Sequence, residues 1–358
     1  MEEKNQRLNG EKHAKTYSEN KVFEHEENNS SLNQLPFEKI KREILIKRNA
    51  DTDPKYGKKP ENRTVDELID FGIVNIDKPA GPTSHQVSAY TKEILGVDKA
   101  GHSGTLDPGV TGLLPTALAK GTRVVQTLLS AGKEYVCLIH IHKELPEDEI
   151  KNVMMGFVGK LKQLPPIKSA IKREWRYRKV YYIDILEVKG QDVLFRVGTQ
   201  AGTYIRKLCH DMGEKFGCGA HMAELRRTKV GPFNEETLCS LQTLTDNLHY
   251  YKEYGDEKAI RKNIFPIEFA VSHIPKIWVL DSTVNSLCHG SNLKIPGVSK
   301  VETEIQIDED VAIMTLKNEL VAIGKLKILP KDIIKNSKGI AVEVDRVFME
   351  PGTYPRID

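Results

Sequence analysis

Residues 100–115 read AGHSGTLDPGVTGLLP, and positions 101–112 within this stretch hold four glycines and one proline. Such a density of Gly and Pro predicts a loop whose backbone can approach a ligand closely. Asp107 stands directly before Pro108, and a residue before proline is pushed toward extended geometry. The loop therefore predicts a carboxylate held in a fixed direction. Two interpretations are open, namely an ordinary turn aspartate or a nucleophile that a neighbouring guanidinium keeps ionised.

The segments around this loop predict strands and helices that do not alternate regularly. GIVNIDKP before it and KEYVCLIHIH after it are typical of buried strands, while KVYYIDILEV, turning at KGQD into VLFRVGT, predicts a hairpin. Helices are predicted in SHQVSAYTKEILG and AGTYIRKLCHDMGEKFG, with Ser84 and Thr203 as N-caps and a glycine after each end. This mixture indicates an α+β domain with a central mixed or antiparallel sheet.

Further units are predicted at both ends of the chain. After the central domain, short β-rich runs such as VAIMTL and GIAVEVDRVFM indicate a small, mostly-β accessory module. The N-terminal residues are polar and carry both signs of charge, which predicts a disordered or loosely attached extension. Four apolar residues at helical spacing then predict an N-terminal helix before a linker: Phe37, Ile40, Ile44 and Leu45. The predicted units are the extension 1–34, the helix and linker 35–70, the central domain 71–273, the accessory module 274–350 and a tail, 351–358.

Composition excludes several classes of protein. The chain has 358 residues, of which 39% are hydrophobic and 29% charged, and this is typical of a soluble globular protein with two domains. No apolar run approaches the ~20 residues of a membrane span, and the N-terminus lacks a secretory signal. Five cysteines without a C-x-x-C pair favour a reducing, cytoplasmic setting and argue against a zinc site. P-loop, G-x-G-x-x-G, G-x-S-x-G and H-E-x-x-H patterns are missing from the sequence, which disfavours the corresponding enzymes.

Positive charge is concentrated in the central part of the chain. The net charge is +5 over residues 71–273 and −1 over each flanking part. Residues 160–179 hold eight basic residues against the single acid Glu174, with Trp175 and Tyr177 between them. Cations beside aromatic rings suit a phosphate backbone that carries an unstacked base. This basic strip predicts either a nucleic-acid-binding segment or a solvated loop.

Five motifs in a fixed order resemble the TruB and dyskerin family of RNA pseudouridine synthases, and within it the archaeal dyskerin branch. They are NIDKPAGPTSH (75–85), AGHSGTLDPGVTGLLP (100–115), GKEYVCLIHIH (132–142), AGTYIRKL (201–208) and GCGAHMAELRRTKVGPF (217–233). The resemblance covers about residues 35–358. It implies a pseudouridine synthase catalytic domain, and it identifies the C-terminal module, with HGSNLKIPGV and KGIAVEVDRVFM, as similar to an RNA-binding PUA domain. The N-terminal helix and linker, 35–70, are expected to pack near this module.

The resemblance also implies roles for particular residues. Asp107 is expected to be the nucleophile, Arg206 its partner and Tyr135 a further active-site residue, while His102 is expected to help extrude the target nucleotide. The residues expected at the uridine or in the motif supporting it are His102, Thr105, Tyr204, Leu225, Lys78 and Pro79. Those expected along the RNA backbone are Lys168, Lys172, Arg173, Arg176, Arg178, Arg226, Arg227 and Lys229. Neither a metal nor a cofactor is expected.

The implied reaction cleaves the N1 glycosidic bond of a uridine in RNA, rotates the base and joins C5 to C1′. Asp107 could attack C1′ or C6, or act through a glycal route with Tyr135 as the base. The resemblance implies modification of ribosomal RNA directed by H/ACA guide RNA, with uridine 55 of transfer RNA as a further target. The expected partners are these RNAs and the small proteins of the H/ACA ribonucleoprotein, without a membrane, in the cytoplasm. Two alternatives are a catalytically inactive H/ACA RNA-binding scaffold and a metal-dependent RNA hydrolase, although the sequence offers no histidine or carboxylate cluster for the latter.

Overall fold

The computed structural model of the chain describes residues 33–165 and 174–356. The predicted extension 1–34 therefore lies outside the described residues, except for its last two positions. Three residues of the basic strip lie outside them as well: Lys168, Lys172 and Arg173. Within the described residues the chain forms two β-sheets.

The described part of the chain contains sixteen strands and ten α-helices, with short 3₁₀ helices between some of them. The strands are β1 (Ile44–Ile46), β2 (Gly72–Lys78), β3 (Ala100–His102), β4 (Thr111–Leu118), β5 (Lys133–Ile141), β6 (Gly159–Gln163), β7 (Arg176–Lys189), β8 (Asp192–Thr199), β9 (Ala220–Val230), β10 (Ile264–Pro266), β11 (Lys276–Val279), β12 (Leu293–Lys294), β13 (Val298–Glu302), β14 (Asp310–Met314), β15 (Leu320–Leu326) and β16 (Ile340–Val347). The helices are α1 (Val65–Asp70), α2 (Ser84–Leu95), α3 (Val125–Ser130), α4 (Glu147–Met155), α5 (Ile205–Phe216), α6 (Leu241–Tyr254), α7 (Glu257–Ile260), α8 (Ile267–Ala270), α9 (Asp281–Cys288) and α10 (Pro330–Lys335).

The larger sheet has nine strands in the order β10-β2-β4-β9-β5-β8-β7-β6, with β3 paired to β4. Its neighbours are antiparallel except β4 and β9, which are parallel and pair Thr111 with Arg226 and Gly112 with Arg227. The loop that carries Asp107 leads directly into β4. The predicted α+β class with a mixed sheet is confirmed. The parallel pair of β4 and β9 lies next to the loop that carries Asp107.

Most local predictions around the loop are confirmed. The strand at β5, the β7 and β8 hairpin and helices α2 and α5 all lie where the sequence places them. The predicted N-caps are wrong by one residue, since Thr83 caps α2 and Tyr204 precedes α5. Thr83 forms a reciprocal pair with Gln86, in which each side chain accepts a hydrogen bond from the other residue's backbone N–H (3.2 and 2.8 Å).

The predicted N-terminal helix is wrong. Pro36–Lys39 form one 3₁₀ turn, and Ile44–Ile46 form β1, which pairs antiparallel with β13 of the C-terminal sheet. Helical spacing is outweighed here by the edge of that sheet, where β-branched residues gain ladder hydrogen bonds. Leu45 packs against the core of the C-terminal sheet, whereas Ile44 and Ile46 are about half exposed.

The smaller sheet has seven strands in the order β1-β13-β11-β14-β15-β16-β12, so its first strand comes from the N-terminal segment. Both sheets contribute to one apolar cluster. Phe233 and Phe269 of the larger unit pack there with Trp278, Leu320 and Phe348 of the C-terminal unit. The two units are therefore joined by a common core and not by a solvated linker.

His273 lies in the connection between the two units, 8% exposed, with its ring edge-on to Phe37 at 5.9 Å between centroids. Burial lowers its pKa from 6.5 to about 4 because the imidazolium would lose its hydration. Below about pH 6.5 the unfolded chain binds a proton that the folded chain does not, so the free energy of unfolding decreases as the pH falls toward about 4. We expect His273 to account for up to about 3 kcal/mol of this decrease and His273→Phe to remove it.

Urea denaturation of the full chain at about pH 7 and about pH 4.5 measures this difference. His249→Gln, on the exposed side of α6, is the control and should leave the pH dependence as it is. The pKa of His102 is also lowered. Because His102 is present in both the wild type and His273→Phe, it changes the pH dependence of both by the same amount. The same loss of stability in His273→Phe as in the wild type would contradict the prediction.

Candidate active site

The loop between β3 and β4 presents Asp107 to solvent. Thr105 and Asp107 are exposed, whereas Leu106 (5%) and Val110 (4%) are buried in the apolar core beneath them. The backbone N–H of Val110 donates to the carbonyl of Asp107 (3.0 Å) and closes a turn. Buried residues on both sides thus anchor the loop and leave the carboxylate at the surface.

Lys78 supports this loop from the interior. Its Nζ donates to the carbonyls of Pro79 (2.8 Å), Pro108 (3.0 Å) and Val110 (2.8 Å), and its side chain is fully buried. Burial lowers the pKa of Lys78, and the negative charge of nearby Asp107 opposes that shift. The expectation that Lys78 contacts substrate is therefore corrected, because RNA cannot reach the ammonium group. Pro79 is exposed, and its part in the loop is to accept this hydrogen bond.

Ser84 also holds the loop, in a role that the sequence prediction missed. Its Oγ accepts from the backbone N–H of Leu106 (2.8 Å) and donates to the carbonyl of the same residue (3.1 Å). The Ser84 hydroxyl thus satisfies both backbone groups of Leu106, as a neighbouring strand would in a sheet. The available signal was the T-S-H sequence itself, since Thr83 with Gln86 completes a capping box and leaves the hydroxyl of Ser84 for another partner.

Asp107 forms an ion pair with Arg206, the second residue of α5, through Oδ2 and Nη2. Both side chains are 54% exposed. An ion pair this exposed adds little to stability, so its effect is to orient the carboxylate and to compensate its charge. The structure thus brings together two residues that lie 99 positions apart in the chain.

The N-terminal end of α5 is fixed by β6. The side chain of Gln163 donates to the carbonyl of Tyr204 (3.3 Å) and accepts from its N–H (3.1 Å). Gln163 was not predicted, because a glutamine in a basic strip carries no recognisable signal. Tyr204 itself is half-buried beside Arg206, so this double hydrogen bond positions the start of the helix that carries the guanidinium.

Tyr135 lies on β5, 8% exposed, in the apolar cluster that also holds Leu106 and Val110. Its phenol lies near Arg227 and opposes the lowering of the Arg227 pKa that burial causes. Leu225, on the neighbouring strand opposite Cys137, packs against the same cluster. Together these side chains form an apolar wall that also buries Leu106, the residue before Asp107.

The prediction that Arg227 contacts the RNA backbone is wrong. Its side chain is 1% exposed, and its guanidinium donates to the carbonyls of Leu113 (2.8 Å) and Gly104 (3.1 Å). It lies at the parallel pairing of β4 and β9, where Gly112 has φ +100° and a Cβ would come within 2.2 Å of the Arg227 carbonyl. Arg227 therefore joins the loop, β4 and Tyr135 from the inside.

His102 ends β3 directly before the loop. Burial lowers its pKa to about 4, and the charges of His85 and Arg227 act in the same direction. The imidazole is therefore neutral at physiological pH. No role was predicted from the sequence for the neighbouring His85, because a single histidine in a predicted helix gives no specific signal of function.

The other described residues that were expected to contact the RNA backbone have different surroundings from one another. Arg226 pairs with Asp77 (3.0 Å) and Glu235 (2.7 Å), and Lys229 pairs with Glu38 (2.9 Å). The charges of these two cations are thus compensated by carboxylates of the protein. Arg176 and Arg178 are half-buried on β7.

Two exposed aromatic rings lie in the described part of the basic strip. Trp175 is 60% and Tyr177 56% exposed, and lysine ammonium groups lie over them at 5.0 and 4.4 Å from the ring centroids. Such rings can stack on unpaired bases, and the lysines can meet phosphates.

The arrangement is suited to chemistry on an electrophilic carbon. An exposed carboxylate is aimed by a guanidinium, and the loop that carries it packs on an apolar cluster that contains Tyr135. Two buried cations, Lys78 and Arg227, hold the loop in place through hydrogen bonds to its carbonyl groups. Among residues 33–165 and 174–356 there is no group of three or more His, Cys, Asp or Glu side chains that could hold a metal ion. None of the helices in those ranges is long and apolar enough to cross a membrane.

Four family models match the chain in succession. They are described as the DKCLD (NUC011) domain (residues 33–88), the N-terminal domain of TruB family pseudouridylate synthase (92–205), the C-terminal domain of tRNA pseudouridylate synthase B (206–272) and the PUA domain (275–348). Together they cover both sheets.

Similar curated proteins include the probable tRNA pseudouridine synthases B of Pyrococcus abyssi and Methanopyrus kandleri. The first is 55% identical over 320 residues, which is 89% of this chain and 96% of the relative, and the second is 53% identical over 323 residues, 90% and 95% respectively. A solved Cbf5-Nop10-Gar1 complex contains a chain that is 54% identical, with a TM-score of 0.87 over 90% of this chain and 99% of that one. An H/ACA RNP bound to a substrate RNA containing 2'-deoxyuridine contains one that is 52% identical, with a TM-score of 0.85 over 90% and 99%.

Proposed function

The chain belongs to the TruB and dyskerin family of RNA pseudouridine synthases, and from that premise we propose that Asp107 is the nucleophile with which it isomerises uridine in RNA. The observation that carries this proposal is the exposed pair of Asp107 and Arg206, on a loop whose buried residue Leu106 packs in the same apolar cluster as Tyr135. A carboxylate on a rigid loop, with its approach open to solvent, can reach a nucleotide that has been extruded from RNA structure.

The reaction exchanges one bond of the ribose for another. The bond between N1 and C1′ breaks, the base turns within the site, and C5 forms the new bond to C1′. The proton leaves C5 and N1 ends protonated, so the product has the same atoms as the substrate. Asp107 attacks C1′ or C6, or acts through a glycal route in which Tyr135 is the base. The apolar wall of Tyr135 and Leu225 would hold the detached base during its rotation.

We assign the chain to guided modification of ribosomal RNA, with transfer RNA as a second substrate. Solved relatives are described as a Cbf5-Nop10-Gar1 complex and as an H/ACA RNP with substrate RNA, which supports H/ACA guide RNA and small proteins as partners. Relatives named tRNA pseudouridine synthase B support the second substrate. A cytoplasmic location is part of the same proposal. The match to the PUA domain supports an RNA contact outside the catalytic domain.

The test compares two RNAs on one enzyme preparation. The full chain is incubated with a tRNA transcript, and separately with an rRNA fragment in the presence or absence of guide RNA and the small proteins. Pseudouridine is mapped by carbodiimide modification and primer extension. We expect rRNA modification only with guide RNA, together with slower tRNA modification by the chain alone. If the tRNA were modified but the rRNA fragment were not, even with guide RNA and the small proteins, the assignment to guided modification would be overturned.

A further inference from the structure

His85 and His102 form a pair of imidazoles at the edge of the Asp107 loop. His85 is the second residue of α2, and His102 ends β3. Their rings meet edge-on, with 5.1 Å between centroids and an interplanar angle of 78°. The Nε2 of His102 lies 3.4 Å from the Nδ1 of His85.

The hydrogen bonds around His102 determine which of its nitrogens carries the proton. The backbone N–H of Gly104 donates to Nδ1 of His102 (3.3 Å), so Nδ1 is an acceptor without a proton. The single proton of the neutral ring is then on Nε2 and points at Nδ1 of His85. His85 must accept there, which places its own proton on Nε2. The chain of hydrogen bonds runs from Gly104 through His102 to His85.

The surroundings favour this neutral arrangement. Arg227 faces both His102 and Gly104, and the aliphatic end of Lys133 also lies at Gly104. Burial, His85 and Arg227 all lower the pKa of His102. A doubly protonated His102 would have two donors facing each other at Gly104 and would place a cation next to a buried guanidinium.

We infer that His85 is a positioning residue for the modification reaction, because its Nδ1 accepts the Nε2 proton of His102 and holds that ring in one orientation beside the Asp107 loop. This inference rests on the proposed function and on the role that the family resemblance implies for His102, which is to help extrude the target nucleotide. A ring held by hydrogen bonds at both nitrogens needs no reorganisation when RNA arrives. His85 itself need not touch the reacting atoms.

Two variants of His85 separate hydrogen bonding from packing. His85→Asn keeps an acceptor oxygen near the position of Nδ1, whereas His85→Leu fills the space without an acceptor. We expect kcat/KM for a structured RNA to fall about tenfold in His85→Leu and to stay within about threefold in His85→Asn. With a transcript whose target uridine is already unpaired, the loss in His85→Leu should shrink, because extrusion costs less there.

The same variants are then combined with His102→Ala. If His85 acts through His102, neither substitution lowers activity further in that background. Equal losses in both backgrounds, or equal losses in the Asn and Leu variants, would overturn the inference.

A measurement without RNA separates this inference from the proposed function. Imidazole ¹⁵N spectra of the full chain, with His102 assigned by the loss of its signals in His102→Ala, report which nitrogen is protonated. We expect protonated Nε2 in the wild type and in His85→Asn, and a mixture of tautomers in His85→Leu. Protonation at Nδ1 in the wild type would overturn the inference whatever the activity. Inactivity of the wild type on every RNA would instead count against the proposed function.

Discussion

Asp107→Asn is expected to form pseudouridine at least about 10³ times more slowly than the wild type. The amide has nearly the shape of the carboxylate but is neutral and a poor nucleophile. The loop itself is held by Lys78 and Ser84, whose hydrogen bonds go to backbone atoms and not to the Asp107 side chain. Because the ion pair with Arg206 is 54% exposed on both sides, its loss should change stability by no more than about 1 kcal/mol.

The measurement is a single-turnover rate of pseudouridine formation with saturating enzyme, which separates chemistry from product release. RNA affinity and the urea midpoint are measured on the same preparation. Asp192→Asn is a matched control, since its carboxylate is 51% exposed and is also paired, to Nδ1 of His140 at 2.7 Å. We expect this variant to keep the wild-type rate. If Asp107→Asn retained more than about a tenth of that rate, the nucleophile would have to be another group.

Glu268→Ala is expected to lower the free energy of unfolding by about 3–5 kcal/mol. Both carboxylate oxygens of Glu268 accept from the guanidinium of Arg63 at 2.8 Å, and Oε1 also accepts from the backbone N–H of Leu320 at 2.9 Å. The side chains of Arg63 and Glu268 are only 11% and 9% exposed. Removing the carboxylate would leave a desolvated cation and a backbone N–H of β15 without their partner.

Urea denaturation of the full chain measures this change. Glu268→Gln keeps one acceptor oxygen and should cost less than the alanine variant. The control is Glu257→Ala, which breaks a surface pair with Arg261 whose side chains are 41% and 33% exposed, and it should cost no more than about 1 kcal/mol. If Glu268→Ala and Glu257→Ala lowered the free energy of unfolding equally, the prediction would be contradicted. The buried contacts of Glu268 with Arg63 and Leu320 would then stabilise the fold no more than a surface ion pair does.

Local patterns were enough to predict most of the elements near the site. The hairpin of β7 and β8 and the glycine-rich loop depend on residues close together in the chain. The N-terminal segment shows where local pattern fails. Its apolar residues have helical spacing, yet β1 forms because the edge of β13, more than 250 positions away, is available for pairing.

The basic residues show the same limit. Charge and family resemblance place Lys78 near the substrate and Arg227 along the RNA, but both are buried and donate to carbonyl groups of the loop and β4. A sequence shows that a side chain is cationic, but it does not show whether carbonyl groups or solvent will surround it.

By itself, the sequence determined the α+β class, most strands and helices, and Asp107 as the carboxylate to examine, because each of these follows from patterns over a few adjacent residues. The family resemblance already implied Arg206 as the partner of Asp107, but only the tertiary structure decided that Arg227 supports the loop from within and that His85 meets His102. The physical reason is that these contacts depend on which strands become neighbours. The parallel pairing of β4 with β9 brings chain segments together that no local periodicity relates.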